Sequence, residues 1–357
     1  MRNFNVEILA LTRESRGYTQ TELSQLLNVE QGTISKIENG RLSINDELVE
    51  KVAQVLEYPL DLFYDEERVI RVEGHYRKKI SLPIKQVKEY KSKMTLAERQ
   101  INKLSDAVEL PIPNIPSWDL ESEGPIQEAA AHVREYWNIP RGRIEDLAKV
   151  IEDNGIIIVP LDLGDMDALS TYSAKYHLPL LYINKRRPAD RIRFNLAHEL
   201  CHYICHFGKK IPSSSEERDI EKEANFFASE LLLPSHEILP QLTNINIEKL
   251  AELKRYWKVS MQAILYKAKD LGTITQNQYY YLFKQMSSLG YRKKEPVDVP
   301  FDNPTLLGEV IQTYIDELGY TKQELADILF LSMQELEIIY FNAKPTPKIG
   351  VSRKRTA

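Results

Sequence analysis

Apolar residues recur at helical spacing through most of the chain, and short wholly apolar runs are few. Residues 3–64 read as several short amphipathic helices, one directly after another. The second of these begins at Thr19, which has a glutamate three positions later, the spacing of a capping box. A longer helical pattern extends from 82 to about 108. The apolar runs at 156–159 and 178–184 predict two short buried strands.

Composition limits the class of protein. The 357 residues are 28% charged and 43% hydrophobic, which predicts a globular protein of two or three compact units. No apolar run is long enough to span a bilayer and the N-terminus lacks a secretion signal, so we expect a cytoplasmic protein without a membrane partner. The two cysteines, Cys201 and Cys205, provide no disulfide framework; two small buried hydrophobes are favoured over a soft metal site.

The candidate chemistry centres on His198-Glu199-Leu200-Cys201-His202, the HExxH pattern of zinc hydrolases. In a helix, His198 and His202 lie one turn apart on one face, so their imidazoles converge on one metal ion. Glu199 lies beside them as the candidate catalytic base. A catalytic zinc needs three protein ligands and an open position, so a third ligand must come from another part of the chain.

The third ligand is expected from the helical pattern that follows the motif. Glu223 lies 21 positions after His202, which leaves room for a turn and a returning helix, and we favour it. Glu221 is one alternative. His206 is the other, although a regular helix cannot direct it and both motif histidines at one ion, because each four-residue step drifts about 40° around the axis. Asn225 is a candidate to orient a ligand.

Residues 3–64 resemble the lambda-repressor-like (Xre) helix-turn-helix family. The resemblance rests on Thr19-Gln20-x-Glu22-Leu23 and Ile34-Ser35-x-Ile37-Glu38-Asn39-Gly40. It implies a five-helix domain that binds operator DNA, with the base-reading residues Gln31, Thr33 and Lys36 and the phosphate-binding residues Gln20 and Asn39.

The charge of this module leaves its role open. Residues 1–64 carry six Lys/Arg against ten Asp/Glu, a net charge of −4, and the whole chain carries −5. Because phosphate neutralisation drives DNA affinity, a helical interaction module without DNA is the alternative. Residues 65–103 reverse the sign, with eleven Lys/Arg against six Asp/Glu. Their long helix predicts a connection between modules; a DNA-flanking arm or a homodimer contact is the alternative.

Residues from about 125 to 235 resemble the ImmA/IrrE family of metallo-endopeptidases, some members of which also carry an Xre domain. The resemblance rests on Arg193-Phe194-x-Leu196-Ala197-His198-Glu199-Leu200-x-His202, Glu223-Ala224-Asn225-x-Phe227-Ala228 and Leu231-Leu232-x-Pro234. It implies a zincin-like domain with a small sheet beside the HExxH helix, Zn²⁺ as the cofactor and a protein substrate, characteristically an Xre-type repressor. Cys201 departs from the family, in which glycine is frequent at that position.

We therefore predict an α+β fold that is predominantly helical. Its parts are an Xre-type DNA-binding domain (1–64), a basic helical linker (65–118), the zinc metallopeptidase domain (119–235), its helical extension (236–295) and a C-terminal helix-turn-helix-like segment (296–357). The strand at 178–184, directly before the metal helix, is a candidate edge strand for substrate pairing. Residues 296–304 read as a proline-marked linker.

The last segment repeats the first. Gly319-Tyr320-Thr321-x-x-Glu324-Leu325 reproduces Gly17-Tyr18-Thr19-x-x-Glu22-Leu23 at an offset of 302. The second recognition position, 333–339, is acidic and apolar where a DNA reader needs Gln, Arg or Lys. We therefore expect a protein-contacting or packing unit there rather than a second DNA reader.

The sequence thus predicts a transcriptional regulator that binds DNA and cleaves a regulatory protein by metal-assisted peptide hydrolysis. The alternative is a DNA-binding repressor whose peptidase-like domain senses a metal or ligand without hydrolysis; the intact Glu199 favours the first. A toxin–antitoxin or phage-defence component, in which a partner gates proteolysis, is not distinguished from these.

Overall fold

The computed structural model describes residues 3–73, 82–208 and 219–341. Within these ranges the chain forms sixteen α-helices and one three-stranded sheet, which confirms the predominantly helical α+β fold. It divides into two compact units. The first comprises 1–71, 83–109 and 307–357, and the second comprises 72–82 and 110–306. No helix in the described ranges has the length and apolar character needed to cross a membrane.

The first unit begins with a helix-turn-helix arrangement. Its elements are α1 (Val6–Ser15), α2 (Gln20–Leu27), α3 (Gln31–Glu38), α4 (Asp46–Leu56) and a 3₁₀ helix (Leu60–Tyr64). The predicted capping box is present: Thr19 Oγ1 accepts a hydrogen bond from Glu22 N (3.1 Å), and Glu22 Oε2 accepts one from Thr19 N (2.6 Å). The apolar stripes of these helices meet in one buried core. The helices predicted from the apolar periodicity are therefore present, and they share one core.

The long basic helix, α5 (Ile84–Leu104), packs within this first unit. Its Lys85 Nζ lies 2.9 Å from both carboxylate oxygens of Glu22, and Arg99 forms an ion pair with Asp65. Tyr90, Met94 and Ile101 are buried on its inner side. Part of its positive charge is thus paired with Glu22 of the helix-turn-helix module and with Asp65, which directly follows that module.

The second unit holds one small sheet among eight α-helices of the described residues. The helices are α6 (Ile126–Tyr136), α7 (Leu147–Asp153), α8 (Ala189–Cys201), α9 (Ile220–Leu232), α10 (Ser235–Ile238), α11 (Ile247–Trp257), α12 (Met261–Asp270) and α13 (Gln276–Ser288). The strands are β1 (Ile157–Leu161), β2 (Ala168–Tyr172) and β3 (Pro179–Asn184). One continuous core of helix and strand side chains surrounds the sheet and α8.

The order of the strands corrects one expectation. The sheet runs β1–β3–β2, with β3 parallel to β1 and antiparallel to β2. The strand predicted at 178–184 is β3, so it is the central strand and not an edge that receives substrate. Its six residues are all buried, as expected for a strand with neighbours on both sides. The strand that lies at the edge next to α8 is β2, which the sequence pattern did not predict.

The residues after α13 belong to both units, and each part contacts residues of its own unit. Asp302, inside the expected linker, pairs with the buried Arg193 of α8. The remaining helices are α14 (Leu306–Asp316), α15 (Lys322–Ile328) and α16 (Met333–Tyr340). In α16, Glu335 lies 3.5 Å from Arg16 and the Tyr340 hydroxyl lies 3.4 Å from Gln100. These contacts join the C-terminal repeat to the N-terminal module and to α5 within the first unit. Residues 342–357 lie outside the described residues.

Candidate metal centre

The metal helix α8 is anchored by its buried face and by one tyrosine. Leu196 and Leu200 are fully buried in the core of the second unit, which turns the motif histidines to the opposite side. The hydroxyl oxygen of Tyr203, the residue after the motif, lies 2.6 Å from Thr171 O and 2.7 Å from Leu180 O, so its single O–H is shared between two carbonyls, and it accepts a hydrogen bond from Thr171 N (3.1 Å). These bonds tie the end of the helix to β2 and β3, so the motif lies at a fixed position along the sheet.

His198 is held between two residues of α9. Its Nδ1 lies 3.0 Å from Asn225 Oδ1, and its Nε2 lies 3.4 Å from Glu221 Oε2. Asn225 therefore has the orienting contact that the sequence suggested for it. Burial disfavours the charged imidazole, but the neighbouring carboxylates of Glu221 and Glu199 outweigh it and raise the pKa of His198.

Three side chains bring donor atoms together. His198, His202 and Glu221 each present one ligating atom, and these atoms lie within 4.8 Å of one another. Two imidazoles and one carboxylate are a donor set of catalytic zinc sites, in which metal–ligand distances are about 2.0–2.2 Å. The contact of His198 Nδ1 with Asn225 leaves its Nε2 directed at the cluster. The residues present therefore fit a zinc ion.

Glu223, the favoured third ligand, has a different neighbour. Its Oε2 lies 2.9 Å from His206 Nε2, and it does not belong to the group of three donors. Glu221, the alternative, is the carboxylate that lies beside His198. Residues 221 and 223 are two apart on a helix, so they point to different sides of it. The structure thus brings Glu221 to the motif histidines and Glu223 to His206.

Glu199 is positioned by β2. Its Oε2 accepts hydrogen bonds from Ser170 N (2.9 Å) and from Ser170 Oγ (2.6 Å). Burial raises the pKa of Glu199, while the positive charge of His198 and the two bonds from Ser170 oppose that rise. Both bonds reach the same oxygen, so the carboxylate is oriented through Oε2. Ser170 was not among the predicted site residues, because it belongs to a strand that the apolar pattern did not predict.

The two cysteines lie on the buried side of the segment that carries the histidines. Cys201 and Cys205 are free and buried, and burial raises the pKa of the Cys201 thiol well above its ordinary value. A thiol in that state is a poor metal ligand, since zinc binds the thiolate. Their burial agrees with the expectation of two small hydrophobes.

The predicted DNA-contacting residues lie around α3. Gln31 and Lys36 are exposed on this helix, with Thr33 partly exposed between them. Gln31 Nε2 donates to Gln20 Oε1 (3.0 Å), and Gln20 Nε2 donates to Glu38 Oε2 (2.8 Å). Asn39, the C-cap residue, donates from its amide to Ser35 O (2.7 Å). Gln31, Gln20 and Glu38 therefore form one hydrogen-bonded series of side chains between α2 and α3.

Comparison with known protein families gives a match for two segments of the chain. Residues 9–63 match the family model described as helix-turn-helix, and residues 151–269 match the one described as IrrE N-terminal-like domain, of the Peptidase M78 family. The chain carries a helix-turn-helix domain and an IrrE N-terminal-like domain. The metal cluster, Glu199 and Ser170 all lie inside the IrrE N-terminal-like domain. A search of curated proteins found no match.

These matches indicate the general class of function for each domain. The IrrE N-terminal-like domain makes the second unit metallopeptidase-like, and the helix-turn-helix domain is of the kind found in DNA-binding regulators. They confirm the resemblance read from the sequence for both segments.

Proposed function

We propose that this protein is a zinc-dependent endopeptidase that cleaves a regulatory protein and binds operator DNA through its helix-turn-helix domain. The observation that carries the proposal is the joint placement of His198, His202 and Glu221, whose donor atoms lie within 4.8 Å of one another. Glu199 is fixed beside this cluster by two bonds from Ser170. Two histidines and two glutamates that cluster at one partly buried place are typical of a functional site and not of a helix with a purely structural role.

In this proposal His198, His202 and Glu221 hold the zinc ion. Bound there, zinc supplies Lewis-acid polarisation of a scissile carbonyl and lowers the pKa of water. Glu221 is preferred to Glu223 because its carboxylate lies beside His198, whereas Glu223 contacts His206. The carboxylate that the sequence favoured therefore stays a less supported alternative.

Glu199 acts as the general base. Its carboxylate takes a proton from the attacking water and passes it to the departing amine of the peptide. The two hydrogen bonds from Ser170 hold Oε2, so Oε1 is the oxygen available in this orientation to move the proton. Because β2 is an edge strand beside α8, it is the strand of this sheet that we expect to pair with an extended substrate.

The substrate class and the DNA contacts extend the proposal. An Xre-type repressor is the expected substrate, because the helix-turn-helix domain associates this peptidase with transcription regulation. Gln31, Thr33 and Lys36 contact base edges, and Gln20 and Asn39 contact phosphates. Lys85 reduces the acidic charge near the start of α2 by pairing with Glu22, which favours the approach of DNA.

Glu199→Gln tests the enzymatic part. The zinc-loaded protein and this variant are incubated with the repressor encoded nearest the gene of this protein, and cleavage and bound zinc are both measured. We expect the variant to retain zinc and to lose cleavage by at least about 100-fold, the usual contribution of a general base. Cleavage that survives the substitution contradicts the mechanism. Operator binding without cleavage by the unaltered protein supports the sensor alternative instead.

A further inference from the structure

Three side chains, those of His202, His206 and Glu223, form a hydrogen-bonded series that begins at the metal cluster. His202 Nδ1 lies 2.8 Å from His206 Nδ1, and His206 Nε2 lies 2.9 Å from Glu223 Oε2. The side chain of His206 is 6% exposed and that of Glu223 is 19% exposed. One end of this series is a proposed ligand and the other end is a partly exposed carboxylate.

The direction of each hydrogen bond follows from the chemistry of the first residue. A neutral imidazole that binds a metal through Nε2 has its proton on Nδ1, so His202 Nδ1 is the donor. His206 Nδ1 must then be the acceptor. A neutral imidazole that accepts at Nδ1 is protonated at Nε2, and that N–H donates to the Glu223 carboxylate. With one proton on His202 Nδ1 and one on His206 Nε2, each of these protons has an acceptor and all three groups are hydrogen-bonded.

We propose that His206 and Glu223 are positioning residues for His202, which hold its ring in the tautomer and orientation that bind zinc through Nε2. This inference rests on the metal site proposed above. It assigns a role to the glutamate that sequence spacing made a ligand candidate. It also explains why a third histidine follows the motif although it lies outside the donor cluster.

The backbone supports this role. Helix α8 ends at Cys201 and continues as one π-helical turn, His202–His206. Phe207 N donates to His202 O (2.8 Å), the i to i+5 bond of that turn. A π turn closes its hydrogen bond one residue later than an α-helical turn, which changes the directions of the side chains along it. The irregular turn therefore places the His206 ring against the His202 ring, with 4.9 Å between their centroids.

The two ligand histidines are thus held differently. His198 contacts the neutral amide of Asn225 directly, whereas His202 is connected through His206 to a carboxylate. A carboxylate at the end of such a hydrogen-bonded series increases the electron density on the ligating nitrogen and also fixes the orientation of the ring. We expect the second arrangement to contribute more to zinc affinity than a neutral partner does.

A double-mutant cycle on full-length protein tests the proposal. The variants are Glu223→Gln, His206→Leu and their combination, with Glu248→Gln as a control because Glu248 is an exposed glutamate of α11. The zinc dissociation constant is measured by competition with a chromophoric chelator. We expect Glu223→Gln to weaken zinc binding by about 10-fold to 100-fold, as outer partners of metal ligands generally do. His206→Leu should weaken it at least as much, and Glu248→Gln should not change it.

The combined variant is decisive. If Glu223 acts through His206, adding Glu223→Gln to His206→Leu causes no further loss. Losses that multiply overturn the proposal, and so does a Glu223→Gln variant with unchanged zinc affinity. If Glu223 is a ligand, Glu223→Gln abolishes zinc binding with or without His206, as Glu221→Gln does in the present assignment.

A spectroscopic readout separates positioning from general damage. In zinc-loaded protein labelled with ¹⁵N-histidine, we expect the His202 Nδ1 proton to give a hydrogen-bonded signal, and His206→Leu should remove or shift it while the His198 signal stays. A His202 signal that does not change in that variant overturns the proposal. Failure of the unaltered protein to bind zinc would instead refute the metal site itself, so the two failures are distinguishable.

Discussion

Asp302→Ala removes the carboxylate that faces a buried arginine of the metal helix. Arg193 is 1% exposed; it donates to Asp302 and, through Nη2, to Ile144 O (2.7 Å). Asp302 is 4% exposed in its side chain and also accepts a bond from Leu147 N (2.9 Å). The substitution therefore leaves a buried guanidinium without its counter-charge and a buried N–H without its acceptor.

The expected loss of stability follows from that geometry. Removing one partner of a buried ion pair costs about 3–5 kcal/mol, because the remaining charge stays desolvated. Since each kcal/mol lowers the melting temperature of a domain of this size by roughly 2–4 °C, we expect the second unit to melt roughly 6–20 °C lower. An Arg193→Met/Asp302→Leu double variant should lose less than Asp302→Ala, because it leaves no orphaned charge.

Tryptophan fluorescence during thermal unfolding is the assay. All three tryptophans, Trp118, Trp137 and Trp257, belong to the second unit, so the signal reports that unit and not the first. Asp298→Ala is the matched control, since Asp298 is an exposed aspartate of the same segment, and its effect should stay within about 0.5 kcal/mol. If Asp302→Ala melts with the control, the buried pair does not stabilise this unit and the reasoning fails.

Two further substitutions test the fold and the DNA face. Gly155→Ala should destabilise the second unit by about 2–5 kcal/mol in the same melting assay: Gly155 has φ +79°, and a Cβ there would lie 2.7 Å from Pro113 Cα. Gly208→Ala, with φ +73° and no atom of the described residues within 4 Å of its Cβ, should lose only the backbone part, and equal losses would refute the clash. Lys36→Ala should weaken binding to a promoter fragment of its own gene by about 1–3 kcal/mol in a mobility-shift titration. Lys51→Ala, an exposed lysine of α4, should not; equal effects would exclude a specific contact by Lys36.

The helical parts of the fold were predictable because their signals are local. Thr19 and Glu22 form the capping box that their spacing indicates, and Gly40 takes the positive φ (+67°) that ends α3. Helix α11 (Ile247–Trp257) lies within the segment 236–295 that was predicted to be a helical extension. In each case the residues that stabilise the element lie within one or two turns of one another, so the sequence alone contains the information.

Strand β2 and the Asp302 contact were not predictable for the opposite reason. The residues of β2, Ala168–Tyr172, are short and mixed in polarity, and the strand exists because β3 and Tyr203 supply its hydrogen-bond partners. Asp302 pairs with a residue 109 positions away, inside a stretch whose prolines indicated a linker. Long-range pairing of this kind leaves no periodic trace.

The choice between Glu221 and Glu223 shows where spacing stops being informative. Both lie in the first turn of α9, and both are a plausible return distance from His202. Which one reaches the cluster depends on how α9 is rotated against α8, and that rotation is set by the buried side of α9, on which Ala224, Phe227 and Leu231 face the core. With that side fixed, position 221 falls beside His198 and position 223 beside His206. The same packing therefore gives two neighbouring glutamates two separate partners. Moving the Glu221 carboxylate by one position along α9 should disturb His198 and not His206, and moving the Glu223 carboxylate should disturb His206 and not His198.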